Sequence, residues 1–214
     1  MNLKKQEIIE IINILNNTYP DAKCSLDFTT PFELVVAVML SAQCTDERVN
    51  KTTPNIFKNY KTPEDFANIN ISVLENLIHP CGFYKNKSKN IIACAKKVIS
   101  DFNGSIPNTM NELLTLPGVG RKSANVILLE VFGIANGVAV DTHAKRLANR
   151  IGFSNETAPE KIEIDLVKLI PAEYLKDVNH LFMYHGRNIC TARSPKCNVC
   201  PIYKYCKNPC INIE

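Results

Sequence analysis

Apolar and polar residues follow the spacing of helices along almost the whole chain, and no stretch alternates as a half-buried strand would. Four segments have the form of a capping box: Thr30-Pro-Phe-Glu33, Ser72-Val-Leu-Glu75, Thr109-Met-Asn-Glu112 and Thr157-Ala-Pro-Glu160. In each, a hydroxyl can accept from the third amide of a helix while the glutamate reaches back to the cap, so each marks a helix start. Gly82, Gly104, Gly133 and Gly152 are placed to end helices. Starts and stops at this spacing predict about ten short helices. No repeat or low-complexity tract interrupts them, and the expected fold is all-α.

Composition narrows the class. A chain of 214 residues can form one large or two small domains, and 45% hydrophobic residues is a globular proportion. The first ten residues are polar and charged, unlike a signal peptide, and the longest apolar run, Leu34 to Leu40, is too short to cross a bilayer. The chain therefore reads as a soluble, cytoplasmic protein with no membrane partner. Nine cysteines, an odd number without an export signal, point to a reducing compartment and not to disulfides. Cys24, Cys44, Cys81, Cys94 and Cys210 read as buried or incidental thiols.

The other four cysteines change the picture. They fall as Cys190-x6-Cys197-x2-Cys200-x5-Cys206, a ligand set within 17 residues. Tetrahedral zinc sites more often use paired CxxC knuckles or CxxC with two histidines. One CxxC with two thiols on longer loops suits a bulkier [4Fe-4S] cubane better. Zinc and unligated core cysteines stay open as alternatives at this point.

A net charge of +4 does not announce a nucleic-acid partner, but its distribution is uneven. Lys85, Lys87, Lys89, Lys96 and Lys97 lie in an acid-free stretch, as do Arg187, Arg193, Lys196, Lys204 and Lys207. Two such stretches can face one polyanion, or can be an ordinary solvated surface.

Leu116-Pro-Gly-Val-Gly120-Arg-Lys122-Ser-Ala is more specific. A helix from Thr109 would end near Thr115, Gly118 and Gly120 permit a tight turn, and a second helix runs through Ala124, Val126, Ile127 and Leu129. That is a helix-hairpin-helix. Glycines at a helix start expose backbone amides to a phosphate oxygen with no side chain in the way. A plain turn between two helices is the competing reading. Nineteen residues beyond Lys122, the apolar approach Val138-Ala-Val140 ends on Asp141 and enters a helix carrying Lys145, Arg146 and Arg150. Asp141 stands at an N-cap position, and capping alone would account for it. His143 reads as a structural hydrogen-bonding group.

These motifs, with Leu40-Ser-Ala-Gln43-Cys44-Thr-Asp46 and Gly82-Phe-Tyr84, run in one order along nearly the whole chain. In order and spacing the chain resembles the endonuclease III family, the iron-sulfur DNA glycosylase/AP lyases of the helix-hairpin-helix superfamily. The resemblance implies that Lys122 is the nucleophile and Asp141 the catalytic carboxylate. It implies that Gln43 and Phe83 fill the gap left by an extruded base, a position where leucine is common in the family and Phe83 is bulkier. Gly118, Val119, Gly120 and Arg121 become hairpin contacts to DNA, and Cys190, Cys197, Cys200 and Cys206 become ligands of a [4Fe-4S] cluster.

The implied architecture has two helical domains with a DNA-binding cleft between them. One is a six-helix barrel domain, residues 24–134, with the hairpin at about 109–133. The other is an iron-sulfur cluster domain built from residues 1–23 plus 135–214. Arg193 and Lys196, between the first two ligands, would then be phosphate contacts on a loop shaped by the cluster. The implied activity is removal of oxidised pyrimidines from double-stranded damaged DNA by a monomer, followed by strand cleavage through a lysine imine. Two other readings share most of the motifs: a monofunctional adenine or mismatch-thymine glycosylase, which would lack lysine at the nucleophile position, and a non-catalytic DNA-binding module.

Overall fold

The computed structural model describes residues 3–209, and Cys210 lies outside them. In chain order the α-helices are α1 (Lys5–Thr18), α2 (Pro31–Leu40), α3 (Asp46–Phe57), α4 (Pro63–Asn68), α5 (Ile71–Ile78), α6 (Tyr84–Phe102), α7 (Met110–Leu113), α8 (Arg121–Phe132), α9 (Thr142–Ile151), α10 (Pro159–Leu169) and α11 (Leu175–Asn188). Short 3-10 turns at His79–Cys81, Ala172–Tyr174, Cys197–Val199 and Tyr203–Tyr205 complete the described secondary structure, which includes no strand. None of these helices is long and apolar enough to cross a membrane.

The chain forms two compact units. One is Cys24–Gly133, and the other joins both chain ends, running up to Lys23 and resuming at Ile134. The first holds six helices of six residues or more together with the single turn α7. Its centre is α2, in which every residue from Phe32 to Leu40 is buried, so it is apolar on all sides and needs neighbours on all sides. α3, α6 and α8 supply them, and α4 and α5 pack on α6. α2 starts where the sequence sets it. Thr30 accepts from the Glu33 amide at 3.2 Å, and Glu33 Oε2 accepts in return from the amides of Thr29 at 2.6 Å and Thr30 at 3.2 Å. Phe66 of α4 is fully buried, its ring centre 5.4 Å from that of Phe32 and 6.1 Å from that of Tyr60.

In the second unit α1 buries Ile8, Ile11, Ile12 and Leu15, one stripe at helical spacing, and packs on α11. α9 lies against α10 and α11, and Phe153 meets Phe182 with ring centres 5.8 Å apart. This unit has a core of its own, which includes Val138, Val140, Leu147, Ile162, Leu166 and Leu181.

Two of the four expected helix starts move. α5 begins at Ile71, not at Ser72-x-x-Glu75, because Asn70 accepts from the Ser72 amide at 2.9 Å and claims the cap two residues earlier. α10 begins at Pro159 behind Ala158, without a side-chain cap. Proline at the first helical position presets the backbone and has no amide to satisfy, so Thr157 is not needed. Thr109 does cap α7, and Thr62 with Asp65 forms a capping box at the start of α4.

Removing the Phe66 ring leaves a void that Phe32 and Tyr60 cannot fill. Phe66→Ala is expected to lower unfolding free energy by about 3–5 kcal/mol in urea titrations, as buried Phe→Ala changes do. Ile164→Ala, at a position 62% exposed, should change it by less than about 0.5 kcal/mol.

Candidate functional site

The hairpin is built from two apolar anchors and two glycines with different jobs. Leu113 and Leu116 are buried, and Val119 is held inward with its amide donating to the Leu116 carbonyl at 3.1 Å. Gly118 lies between them at φ +81°, where an L side chain is strained, and a Cβ there would sit 2.5 Å from Met39 Cε and 3.0 Å from Asn90 Cβ. Glycine at 118 is thus required by the fold. Gly120 has an ordinary extended backbone, φ −95°, and its added Cβ would meet nothing within 4 Å. It is the N-cap residue of α8 and brings no side-chain cap, so the first turn of α8 opens onto surface. Arg121 and Lys122 stand in that turn with exposed side chains. A helix start of this kind presents partial positive charge and backbone amides outward.

Asp141 begins α9 in the opposite manner. Its Oδ1 accepts from the amides of His143 at 2.8 Å and Ala144 at 2.7 Å. The cap uses one carboxylate oxygen for both bonds, so Oδ2 is not spent on it. Capping and catalysis are therefore compatible at this residue. Lys122 belongs to the Cys24–Gly133 unit and Asp141 to the other.

Gln43 and Phe83 are two of the three non-glycine residues with positive φ among the described residues, at 54° and 49°. Both conformations are strained for residues with a Cβ, and such strain clusters at functional sites. Phe83 is 63% exposed, and Gln43 is exposed as well. Together with Gly118, Asn86 and Asn90 they line one concavity of about 170 Å³ on the first unit. The fold thus brings both candidate gap-filling residues and the hairpin turn to one place. Asn86 and Asn90 carry no signal in the sequence. Only their spacing on α6, one turn apart, puts both at this concavity.

The four tail cysteines line a second concavity, shared with Leu147, Arg150, Ile151 and His185. Burial, followed by the nearby sulfurs of Cys190, Cys206 and Cys197, pushes the Cys200 thiol up to about 11. Four thiols lining one concavity are a donor set that suits an iron-sulfur cluster. Burial also pushes Cys24 to about 11 and Cys94 to about 12, so these two are inert structural thiols.

The arginines of α9 hold this loop from beneath. Arg146 donates from Nε to the Cys190 carbonyl and from Nη2 to the Gly186 carbonyl, both at 2.8 Å, and its Nη2 lies 3.0 Å from His143 Nδ1. Arg150 donates to the carbonyls of Thr191 at 2.7 Å and Ala192 at 3.1 Å, and to Cys190 Sγ at 3.3 Å. His185, fully buried, has Nδ1 3.0 Å from the Tyr19 hydroxyl and Nε2 3.5 Å from Cys200 Sγ. Burial pushes its imidazole down to about 4. None of these supports is marked by a motif. Arg146 and Arg150 of α9 are instead turned onto backbone carbonyls, which their fixed forks fit.

Arg193 and Lys196 are exposed on the loop between the first two cysteines, and the Lys196 amide closes that loop on the Ile189 carbonyl at 2.9 Å. The lysine stretch on α6 divides. Lys85, Lys89 and Lys96 are exposed, Lys97 pairs with Asp101, and Lys87 is buried with its amine bonded inside the unit.

Residues 36–172 match the profile of the HhH-GPD superfamily of base excision DNA repair proteins. Residues 190–206, from the first tail cysteine to the fourth, match the iron-sulfur binding domain of endonuclease III. The endonuclease III of Synechocystis is 50% identical over 206 residues, covering 96% of this chain and 94% of that protein. The chain superposes on a non-covalent endonuclease III-DNA complex with a TM-score of 0.90 at 40% identity, covering 96% of both chains. A trapped endonuclease III-DNA covalent intermediate matches with the same TM-score and identity, over 96% of this chain and 97% of that one. The hairpin, the Gln43 and Phe83 segments and the four-cysteine loop thus fall within a likeness that spans both units, and the chain belongs to the endonuclease III family of helix-hairpin-helix base excision repair proteins and carries that family's [4Fe-4S] cluster.

Proposed function

We propose that this chain is a DNA glycosylase with AP lyase activity, acting as a cytoplasmic monomer on double-stranded DNA and removing oxidised pyrimidines. The observation that carries the reading is an exposed lysine, Lys122, in the first turn of a helix that opens on an uncapped glycine. A phosphate can approach the amides there without meeting a side chain, and an amine is already beside it. A DNA-binding module would need the hairpin but not the amine.

The chemistry follows from two side chains. Breaking the N-glycosidic bond builds positive charge at C1′ as the base leaves with the bonding electrons, and a fixed carboxylate stabilises charge that exists only on the way across. Asp141 has that role, one oxygen holding it to α9 and the other available to the sugar. The Lys122 amine adds to C1′, and one of its protons passes to O4′ as the C1′–O4′ bond breaks, which opens the sugar ring and leaves a protonated imine on Nζ. The imine acidifies C2′. Loss of that proton moves its electron pair into a new double bond, and the C3′–O bond breaks with the phosphate as leaving group.

The base must first leave the stack, which costs a few kcal/mol and less for damaged bases that pair poorly. Gln43 and Phe83 occupy the gap. In the tail, Cys190, Cys197, Cys200 and Cys206 hold the [4Fe-4S] cluster, whose iron-thiolate bonds give the loop its shape. Arg193 and Lys196 ride on that loop and meet phosphates.

Borohydride should reduce the imine and trap a covalent protein-DNA adduct. Lys122→Ala and Lys122→Gln are each expected to abolish the adduct and strand cleavage, the second separating loss of the amine from loss of bulk. Asp141→Asn keeps most of the cap while removing charge, and should slow base release by about a hundredfold or more with binding retained. Base release by the unaltered chain without any adduct would mark it as a monofunctional glycosylase.

Charge reversal at Arg193 or Lys196 should weaken binding to every duplex alike and reduce the slope of log K against log salt by about 0.9 for each lost phosphate. A change in which lesion is excised would instead mean that the loop reads bases. Iron and sulfide analysis should find about four of each per chain, and Cys197→Ser should lose them. Stoichiometric zinc without iron would overturn the ligand assignment.

A further inference from the structure

Lys87 is only 7% exposed, in a stretch where Lys85, Lys89 and Lys96 face solvent. A buried amine of this length costs both desolvation and side-chain entropy, so its position calls for a reason. Burial pushes its ammonium below the usual lysine range, with the Cys44 and Cys81 thiols pulling the other way. Its Nζ donates two hydrogen bonds, to the Leu40 carbonyl at 2.8 Å and to the Cys81 carbonyl at 2.9 Å.

Those carbonyls belong to separate segments with a common purpose. Leu40 ends α2, where the helix dipole makes the carbonyl a good acceptor for a cation, and Gln43 follows three residues later. Cys81 ends the His79–Cys81 turn, and Phe83 follows two residues later. Gln43 and Phe83 both sit at positive φ, a conformation that neither residue favours on its own. Something outside each segment must hold it. Lys87 touches both, and it lines the same concavity as Gln43 and Phe83.

We propose that Lys87 is a positioning residue for lesion recognition, its ammonium tying the end of α2 to the end of the 79–81 turn so that Gln43 and Phe83 enter one gap in the DNA stack at a fixed separation. This rests on the reading that those two side chains fill the gap. Lysine suits the task because an ammonium is a compact point charge with several donors, able to satisfy two carbonyls that converge from different directions. A methionine of similar reach would withdraw the donor from both carbonyls and leave the two segments free to part.

The test separates positioning from plain stability by varying how much unstacking the substrate demands. Excision is measured in single turnover for Lys87→Met on one damaged pyrimidine in a fully paired duplex and on the same lesion in a two-nucleotide bulge, where it is already unstacked. A tie that positions the gap-filling pair predicts a loss of about tenfold or more on the paired duplex, shrinking to within about threefold on the bulge. Equal losses on both substrates, or none, would overturn it. In a Gln43→Ala/Phe83→Ala background, Lys87→Met should add no more than about threefold on the paired duplex, since the groups it positions are gone. A full further tenfold loss there also overturns the proposal. Urea titration establishes that the variant is folded at the assay temperature. Should Lys87→Met unfold, Lys87→Arg keeps the charge and donors but lengthens the tie, and the same dependence on pairing is required of it. Borohydride trapping by the unaltered chain is run alongside. Its failure sinks the glycosylase/lyase reading, whereas trapping with a Lys87 effect indifferent to pairing sinks only this proposal.

Discussion

A helix begins with backbone amides that its own carbonyls cannot reach, and the starts of α8 and α9 deal with them in opposite ways. At Gly120 there is no side-chain cap and space for an outside acceptor. At Asp141 one carboxylate oxygen takes two amides. The first start, with glycine at the cap, forgoes only about a few tenths of a kcal/mol relative to a capping side chain, and keeps a surface able to receive a phosphate beside the Lys122 amine. The second secures its cap with one carboxylate oxygen, and the cap makes no use of the other. The reading of Lys122 and Asp141 as catalytic residues thus depends on how two helices are started.

Such starts are useful only if the turns before them are rigid. Gly118 makes that so in the hairpin, because its positive φ strains any L side chain and Asn90 stands close to where a Cβ would be. Leu113, Leu116 and Val119 pin the same turn to the core beneath it. On the other side of the same concavity Gln43 and Phe83 hold strained conformations, and the surrounding structure has to maintain them. Rigid turn, buried anchors and strained exposed side chains form one arrangement, stabilised from below by a helix that is buried on all sides.

The cysteine loop follows a related logic. It has little regular structure of its own, so its carbonyls need partners, and Arg146 and Arg150 supply them from α9. Guanidinium groups suit this because each offers five donors in a fixed plane. The helix that begins at Asp141 therefore also carries the supports of the metal loop, with Leu147 and Ile151 beside the same sulfurs. Cap and arginine pair lie on one element, and the cysteine loop is bonded to that pair.

The sequence by itself determined the helical class, the family, the hairpin and the cysteine spacing, because each depends on residues close together in the chain. A capping box, a glycine pair or a CxxC acts over a few residues and can be read there. Local rules also set the limit of that reading. Ser72 and Thr157 fit the capping pattern and do not cap, since Asn70 and Pro159 compete for the same starts with stronger local preferences. Only the tertiary structure decided which polar residues face inward. Lys87 lies among exposed lysines in sequence, yet it is buried because carbonyls of Leu40 and Cys81, 47 and 6 residues away, converge on its amine. Arg146, Arg150, Tyr19 and His185 gain their roles in the same way, from acceptors and sulfurs brought near by packing. A charged side chain carries no mark of its future partners, and whether it faces water or a ring of carbonyls is settled when distant segments close around it.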